Sequence, residues 1–276
     1  MHRAKNMSAD IWNLTEFDAP LEQMYGVHSE KDRKYWELLD ELSKRFPHSE
    51  LHKMTHWQAY TKRILMIRYL AHYELFKMTI GIPGSIVELG VSRGVSFFAF
   101  HKFLEIFCPT DTSKKVYGFD SFEGLTDFNE KDGKTLNDEN NDKKTGGWSA
   151  EKVEEEIFEL CRLANLDNIL ARERSKLIKG RVQDTMDKFL EETPGLRINL
   201  LHFDLDLYDP TYYTLNKLWD LVVPGGVIVF DEYGLVPWGG EATAFDQFCK
   251  EKDINIELKK FDWCLTPTAY CIKKKF

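Results

Sequence analysis

Residues 86–98 read IVELGVSRGVSFF, a short β-branched stretch followed by a glycine-spaced loop and then by apolar residues that can begin a helix. The stretch predicts a strand that carries the acidic Glu88 near its end, and Gly90 and Gly94 follow. At the carboxyl end of a parallel strand, such a loop lets a ligand lie against bare backbone while helix N–H groups face its anionic group. The spacing is G-x-x-x-G, not the G-x-G-x-x-G of dinucleotide enzymes, which favours a carboxylate over a pyrophosphate. A plain tight turn is the alternative.

Segments typical of strands and helices alternate beyond this loop. Strands are predicted at residues 86–89, 116–119, 177–178, 198–206 and 227–230, with helices near 98–107, 150–164, 185–190, 211–221 and 242–251. Two further strand-like runs, 254–261 and 268–272, are joined by a short link, so we expect one of them to be antiparallel. The order predicts an α/β fold with a doubly wound, mostly parallel, seven-stranded sheet whose last strand is antiparallel.

Composition narrows the class of protein. The chain of 276 residues can form one large α/β domain with some tens of residues left over. Its net charge is −8 and it has no long basic cluster, which disfavours a nucleic-acid partner. Its five cysteines are scattered without a C-x-x-C pair, which indicates free thiols. Without an apolar leader or a bilayer-spanning run, we expect a cytoplasmic protein with no membrane partner.

The domain boundaries follow shifts in composition. Residues 1–55 are polar and charge-rich, which predicts a helical arm on the main domain or on a second subunit of a homo-oligomer; a partly ordered tail is the alternative. Residues 56–276 form the main domain. It begins with an amphipathic helix over 57–79, with its apolar side chains on one side (Ile64, Ile67, Leu70, Ala71 and Leu75) and charged or polar ones on the other (Lys62, Arg63, Arg68 and His72). The polar stretch 127–148 is expected to be a substrate lid or a disordered insert.

Polar residues follow the second and third strands. Asp120 ends the second strand, where an acidic side chain can accept both ribose hydroxyls of a nucleoside. It could equally cap the following turn. Gln183 and Asp184 follow the third strand and could hydrogen-bond an adenine edge, or simply N-cap the helix near Thr185.

Acidic residues end the fourth and fifth strands. The two-residue period places three polar side chains on one face of the fourth strand: His202, Asp204 and Asp206. Asp231 and Glu232 end the fifth strand. Because these strands are neighbours in most doubly wound sheets, the carboxylates should converge, and such an oxygen-rich set favours Mg²⁺ or a similar hard cation. The alternative is that Asp209 and Asp231 are two unrelated helix N-caps.

Together these stretches resemble the macrocin O-methyltransferase family. The motifs that carry the resemblance are VELGVSRGVS, YGFDSFEGL, KGRVQDT, HFDLDLYDP and PGGVIVFDEYG. They occur in order over roughly residues 80–272. The family comprises class I, S-adenosylmethionine-dependent, Mg²⁺-dependent sugar O-methyltransferases of antibiotic biosynthesis. The E-L-G-x-x-x-G-x-S core is also similar to that of the catechol O-methyltransferases.

The resemblance implies roles for particular residues. The methionine part of the cofactor would lie on Glu88, Gly90, Val91, Ser92, Gly94 and Ser96, with the ribose on Asp120 beside Ser121 and the adenine near Gln183 and Asp184. The metal ligands would be Asp204, Asp231 and Glu232. Asp204 would be the catalytic base, with His202 as a second candidate. The acceptor would be a small-molecule hydroxyl, expected to belong to a sugar.

Three departures separate this chain from those patterns. The family usually shows Asp-Asp where this chain has Asp231-Glu232, which bears on the choice of metal. The later GGEATAFDQF lacks the usual basic residue. Leu207 stands where the catechol enzymes carry a lysine. A catechol-type enzyme, a non-catalytic scaffold and, with less support, an NAD-dependent oxidoreductase remain the alternatives.

Overall fold

The computed structural model describes residues 24–133, 143–169, 172–235 and 238–274. The chain divides into two compact units, Met1–Lys62 and Arg63–Phe276. The first unit contains, in its described part, the helices α1 (Met24–Arg45), α2 (Glu50–Thr55) and α3 (Trp57–Tyr60). The predicted arm falls partly on residues 1–23, which lie outside the described residues, and the boundary at residue 55 stays a prediction.

The second unit alternates strands and helices. Its elements are α4 (Arg63–Lys77), β1 (Ser85–Leu89), α5 (Val95–Phe107), β2 (Val116–Asp120), α6 (Glu154–Leu166), β3 (Ser175–Lys179), α7 (Val182–Glu192), β4 (Ile198–Phe203), α8 (Tyr208–Leu218), β5 (Val222–Phe230), α9 (Gly240–Glu251) and β6 (Ala269–Ile272). No described helix is long and apolar enough to cross a membrane. All five cysteines lie within the described residues and are free thiols.

The sheet has the order β3-β2-β1-β4-β5-β6. The first five strands are parallel and β6 runs antiparallel to β5. This confirms the predicted fold class. Because β1 pairs with both β2 and β4, the strand order reverses between β1 and β4, which is where ligands bind in open α/β sheets.

The sheet is covered on both faces. Consecutive residues of β1 point to opposite sides, so Ile86 joins one buried cluster and Val87 the other. The first cluster includes Leu75 of α4 and Phe97 of α5, whereas the second includes Phe245 of α9. The result is a three-layer domain whose strand ends open at one edge of the sheet.

The described sheet has six strands, one fewer than predicted. Residues 254–261 do show an inward-facing alternation, since Ile254, Ile256 and Leu258 pack against the core. Their backbone forms a single bridge, between Lys259 and Tyr270, and no strand. The period of two thus marks an extended, half-buried segment without a continuous ladder to β6.

The single helix predicted over 57–79 is instead two helices, α3 (Trp57–Tyr60) and α4 (Arg63–Lys77), and α4 buries a different face from the one predicted. Ile64 and Leu70, expected to face the core, are 41% and 45% exposed. His72, expected on the polar side, is completely buried. The buried stripe of α4 is therefore rotated toward His72 and Leu75, which also turns Arg68, one turn earlier, toward the sheet edge.

Candidate active site

A cavity of about 1170 Å³ lies at the carboxyl ends of β1, β2, β4 and β5. A pocket for one small ligand commonly occupies ~300–1,000 Å³. The cavity is therefore large enough for two molecules at once, such as a cofactor and an acceptor. Its walls combine a glycine-spaced loop on one side with acidic side chains on the other.

The loop after β1 forms the glycine-spaced wall and includes Gly90, Val91 and Ser92. Gly90 has a φ of +92°, and a Cβ atom there would lie 1.8 Å from the carbonyl oxygen of Asp204. Only glycine fits such a close approach. Gly94 is the left-handed N-cap of α5 and is not part of the described wall. The loop presents bare backbone to the cavity, as the sequence predicted.

Glu88 lies beneath this loop. It is completely buried, and the Ser96 hydroxyl donates to Glu88 Oε1 at 2.6 Å, while Oε2 has no hydrogen-bond partner within the described part of the chain. Burial raises the pKa of Glu88 to about 8, against the opposing hydrogen bond from Ser96. Ser96 lines the cavity, whereas Glu88 is outside the described wall. Glu88 therefore positions Ser96.

As pH rises, a Glu88→Gln variant should lose less stability than the parent protein does. Between pH 4.5, the ordinary pKa, and about 8, folded Glu88 keeps a proton that the unfolded chain releases, so its contribution to stability falls as pH rises. Glutamine is neutral in both states and can still accept from Ser96. From pH 5 to pH 8, the free energy of unfolding of the cofactor-free variant should therefore rise relative to that of the parent. The expected rise is on the order of 1.4 kcal/mol for each pH unit, and thermal unfolding measured across this pH range checks it. Parallel pH profiles would contradict the buried, protonated carboxyl.

Asp120 closes the loop at the end of β2. Its Oδ2 accepts from Ser92 N–H and its Oδ1 from Phe122 N–H, both at 2.6 Å. The bond to Phe122 is the turn cap that the sequence left open as an alternative. The side chain also lines the cavity beside Ser121, and a carboxylate can accept more than two hydrogen bonds, so ribose recognition remains open to it.

Gln183 and Asp184 lie in the first turn of α7, which begins at Val182. The N-cap is Arg181, without a side-chain cap bond, so the alternative in which either residue caps the helix is wrong. Gln183 lines the cavity; Asp184 is exposed and outside the described wall. Of these two residues only Gln183 lies at the cavity, so the predicted contact with an adenine edge depends on Gln183 alone.

Four carboxyl groups converge on the opposite wall: Asp204, Asp206, Asp231 and Glu232. The strand predicted to run to Asp206 ends at Phe203, and Asp206 adopts a left-handed backbone with φ +60°. The predicted alternation therefore stops after His202, and a loop carries the two later aspartates. Oxygen atoms of Asp204, Asp206 and Glu232 lie within 4.8 Å of one another.

The alternative of two unrelated N-caps is wrong. The N-cap of α8 is Leu207, so Asp209 lies inside the helix. The Asp231 side chain accepts a hydrogen bond from Arg68, far away in sequence. The strand-end carboxyl groups therefore belong to one site.

Arg68 of α4 reaches into this acidic cluster and was not predicted as a site residue. Its Nη1 donates to Asp231 Oδ2 at 2.5 Å and to Thr266 Oγ1 at 2.9 Å. Its Nη2 donates to Asp204 Oδ2 at 2.8 Å. One guanidinium thus bridges the ends of β4 and β5. The sequence offered one local indication that Arg68 belongs to the site: it lies four residues before His72, which places both side chains on the same face of α4.

The single arginine divides the cluster electrostatically. Burial opposes ionisation of Asp231, but Arg68 and His202 outweigh it and hold the pKa of Asp231 below its usual range. Burial, reinforced by the Asp231 charge, raises the pKa of Asp204 to about 8 and that of Asp206 to about 7. The same two causes raise the pKa of Glu232 well above its usual value. The cluster thus has more carboxyl groups than Arg68 can neutralise.

His202 lies behind the cluster. It is completely buried, its Nε2 lies 3.5 Å from Asp231 Oδ1, and its ring contacts that of His72 edge to face at a centroid distance of 5.2 Å. The described wall of the cavity does not include it. Of the two predicted bases, the structure brings Asp204 to the cavity and leaves His202 as a buried neighbour of Asp231.

Glu241 of α9 ties the two acidic loops together and was likewise not predicted as a site residue. Its Oε1 accepts from Leu205 N–H and its Oε2 from Glu232 N–H, each at 3.1 Å. It is completely buried, and burial raises its pKa well above the usual range. It stands in GGEATAFDQF, where the family pattern differs. No local sequence pattern marks this carboxyl group as buried.

Both described ends of the polar stretch 127–148 adjoin the cavity. Asp127, Lys144 and Trp148 contribute to its wall. The stretch is anchored by Asp132, whose Oδ1 accepts from Tyr208 N–H at 2.6 Å. Residues 134–142 lie outside the described residues, so the lid stays a prediction.

Comparison with known proteins identifies the family to which the chain is similar. The family model for macrocin O-methyltransferases matches residues 61–268. A Streptomyces olivaceus protein, 8-demethyl-8-(2,3-dimethoxy-alpha-L-rhamnosyl)-tetracenomycin-C 4'-O-methyltransferase, is 26% identical over 230 residues, covering 83% of this chain and 78% of that protein. The demethyldecarbamoylnovobiocin O-methyltransferase of Streptomyces niveus is 31% identical over 185 residues, covering 66% and 64%.

Solved structures share the fold. The calicheamicin methyltransferase CalS11 superposes with a TM-score of 0.79 at 22% identity, covering 99% of each chain. The O-methyltransferase NovP gives a TM-score of 0.58 at 25% identity, covering 76% of this chain and 81% of that one. The three-layer architecture described above is that of class I methyltransferases.

Proposed function

Since the chain belongs to the macrocin O-methyltransferase family and is an O-methyltransferase, we propose that it transfers the methyl group of S-adenosylmethionine to a hydroxyl of a sugar or glycosylated natural product. The observation that carries the proposal is one cavity with a bare-backbone loop on one wall and clustered carboxyl groups on the other. The name of the Streptomyces olivaceus relative describes a rhamnosyl compound as its substrate, which supports a sugar acceptor.

The proposed cofactor site follows the first wall. Gly90, Val91 and Ser92 would lie along the methionine part, with Ser96 near the carboxylate at the start of α5, where helix N–H groups favour an anion. The ribose would be bound by Asp120 beside Ser121, and the adenine would lie near Gln183. Glu88 and Gly94 act from beneath, by holding Ser96 and by turning the chain into α5.

The acidic wall fits a hard divalent cation such as Mg²⁺. Its donors are carboxylate oxygens, and Glu232 Oε2 is buried with no hydrogen-bond partner among the described residues. The predicted ligands were Asp204, Asp231 and Glu232; Asp206 joins them at the same wall. When bound, the cation would lower the pKa of the acceptor hydroxyl and fix its direction.

Asp204 is the proposed base. It lines the cavity, where its carboxylate can accept the proton of the acceptor hydroxyl. Its Oδ2 accepts from Arg68, which fixes the carboxylate and leaves Oδ1 for the acceptor. Leu207 stands where a catechol enzyme would offer lysine, so no second base is supplied from that position.

Titration calorimetry tests the cofactor half of the proposal. S-adenosylhomocysteine, the product form of the donor, should bind with micromolar affinity or better, because the cavity offers backbone donors and Asp120 together. NADH should give no heat, since the loop lacks the pyrophosphate spacing. NADH binding without S-adenosylhomocysteine binding would support the oxidoreductase alternative and overturn this assignment.

A further inference from the structure

Left-handed backbone at non-glycine positions is concentrated around the cavity. Four described residues of the cavity wall adopt it: Ser92, Asp127, Trp148 and Asp206. Two more described residues with this conformation, Phe122 and Asp253, lie outside the described wall. Such a conformation costs free energy for any residue with a side chain, and it is found most often at functional sites. Trp148, with a φ of +60°, has no role in the account so far.

The Trp148 side chain is exposed as well as strained. It lines the cavity, and 55% of its surface is accessible to solvent. Neither burial in the core nor the preference of the backbone therefore accounts for a tryptophan at this position. A flat aromatic face that is open to a cavity is suited to stack on a planar ligand, such as a nucleobase.

The segment that carries Trp148 is held against the residues that follow β2. The N–H group of Leu125 donates to the carbonyl oxygen of Gly147 at 2.9 Å, and the N–H group of Ala150 donates to that of Phe122 at 3.1 Å. These bonds lie on both sides of Trp148 in the sequence. They fix the backbone from which the indole projects, so the position of the ring depends on the turn after β2.

This turn belongs to the nucleoside side of the proposed cofactor site. Asp120, the proposed ribose residue, ends β2 and caps the same turn. Arg181 Nη1 donates to Asp127 Oδ2, which joins the start of α7, and with it Gln183, to the segment after β2. The acidic wall is instead tied to α4 and α9. Trp148 is therefore supported by the elements that carry the proposed ribose and adenine residues.

We propose that Trp148 stacks on the adenine ring of S-adenosylmethionine, so that the end of the polar stretch 127–148 covers the cofactor and not the acceptor. This rests on the proposed function and adds a residue to it, since Gln183 would meet the edge of the adenine and Trp148 its face. Stacking requires only a flat aromatic face. Trp148 would therefore contribute affinity for the nucleoside and take no part in the methyl transfer.

Binding of S-adenosylhomocysteine to the full chain, measured by calorimetry, tests this inference. Trp148→Asn should weaken binding by roughly 10-fold or more, an effect typical of losing one contact between a base and an aromatic ring. Asparagine tolerates left-handed backbone, so this variant should keep the fold. Trp148→Phe should bind within about 3-fold of the parent, because a phenyl ring can still stack. Trp263→Asn, which removes an indole that is 47% exposed outside the described wall, is the matched control and should bind as the parent does.

Tryptophan fluorescence separates stacking from a purely structural role. S-adenosylhomocysteine should quench the indole emission of the parent, and part of that quench should be absent in Trp148→Phe although the affinity is kept. An undiminished quench in Trp148→Phe would overturn the inference, and this readout decides alone should Trp148→Asn fail to fold. Parental affinity in a folded Trp148→Asn would also overturn it and leave the proposed function standing. Absence of S-adenosylhomocysteine binding in the parent would instead overturn the proposed function, and the inference with it.

Discussion

Replacing Asp204 by asparagine is expected to lower kcat by roughly 10²–10⁴-fold, the usual contribution of a positioned general base. Asparagine keeps the size of the side chain and an oxygen that can accept from Arg68, but it cannot take a proton. Because Asp204 is also a proposed cation ligand, the loss should fall at the upper part of that range. Steady-state methyl-transfer rates at saturating S-adenosylmethionine measure it.

The matched control for this variant is Asp220→Asn. Asp220 is exposed in the turn between α8 and β5, at the amino edge of the sheet and away from the cavity. It should leave kcat unchanged. Both variants should retain the parental melting temperature within a few degrees and bind S-adenosylhomocysteine as the parent does. Near-parental turnover in Asp204→Asn would exclude it as the base.

Removing divalent cations is expected to have an effect of similar size. Treatment with a chelator followed by buffer exchange should reduce turnover at least about 100-fold, since a cation at a reacting oxygen supplies several kcal/mol. Added Mg²⁺ should restore the rate. S-adenosylhomocysteine binding should persist in the metal-free protein, because the loop after β1 makes its contacts without the acidic wall.

Full turnover in chelated enzyme would mean that the carboxyl groups act without a cation. Arg68 would then be the positive charge at the reacting centre. The Arg68→Met variant separates these cases: if the guanidinium replaces a metal, that variant should be inactive with or without Mg²⁺.

The sequence predicted the parts of the site that depend on local pattern. Strands such as β1 and β5 carry β-branched runs, and the residues that follow them must lie at one edge of a parallel sheet. Gly90, Asp120, Asp204 and Glu232 were therefore placed on one cavity from their positions alone. The resemblance to a family supplied their expected roles.

The predictions that failed concern residues whose positions depend on contacts between distant segments of the chain. Arg68 lies 163 residues from Asp231, and helical periodicity assigned it to the polar side of α4 because arginine counts as a surface residue. His72 was misplaced for the same reason. Glu241 carries no pattern that distinguishes a buried carboxylate from an exposed one. His72 and Glu241 are buried, and Arg68 is partly buried, because each hydrogen-bonds to, or packs against, partners elsewhere in the chain, which local hydrophobicity does not encode.

Methyl transfer from S-adenosylmethionine to a sugar hydroxyl is tested most directly by an acceptor screen. Methyl-labelled S-adenosylmethionine and Mg²⁺ would be supplied with nucleotide sugars, glycosylated natural products, free glycosides and catechols, with Asp204→Asn as the inactive control. We expect label to appear on a sugar hydroxyl, in the parent protein only. Turnover of catechols alone would contradict the sugar acceptor, and no transfer to any acceptor despite S-adenosylhomocysteine binding would favour a scaffold.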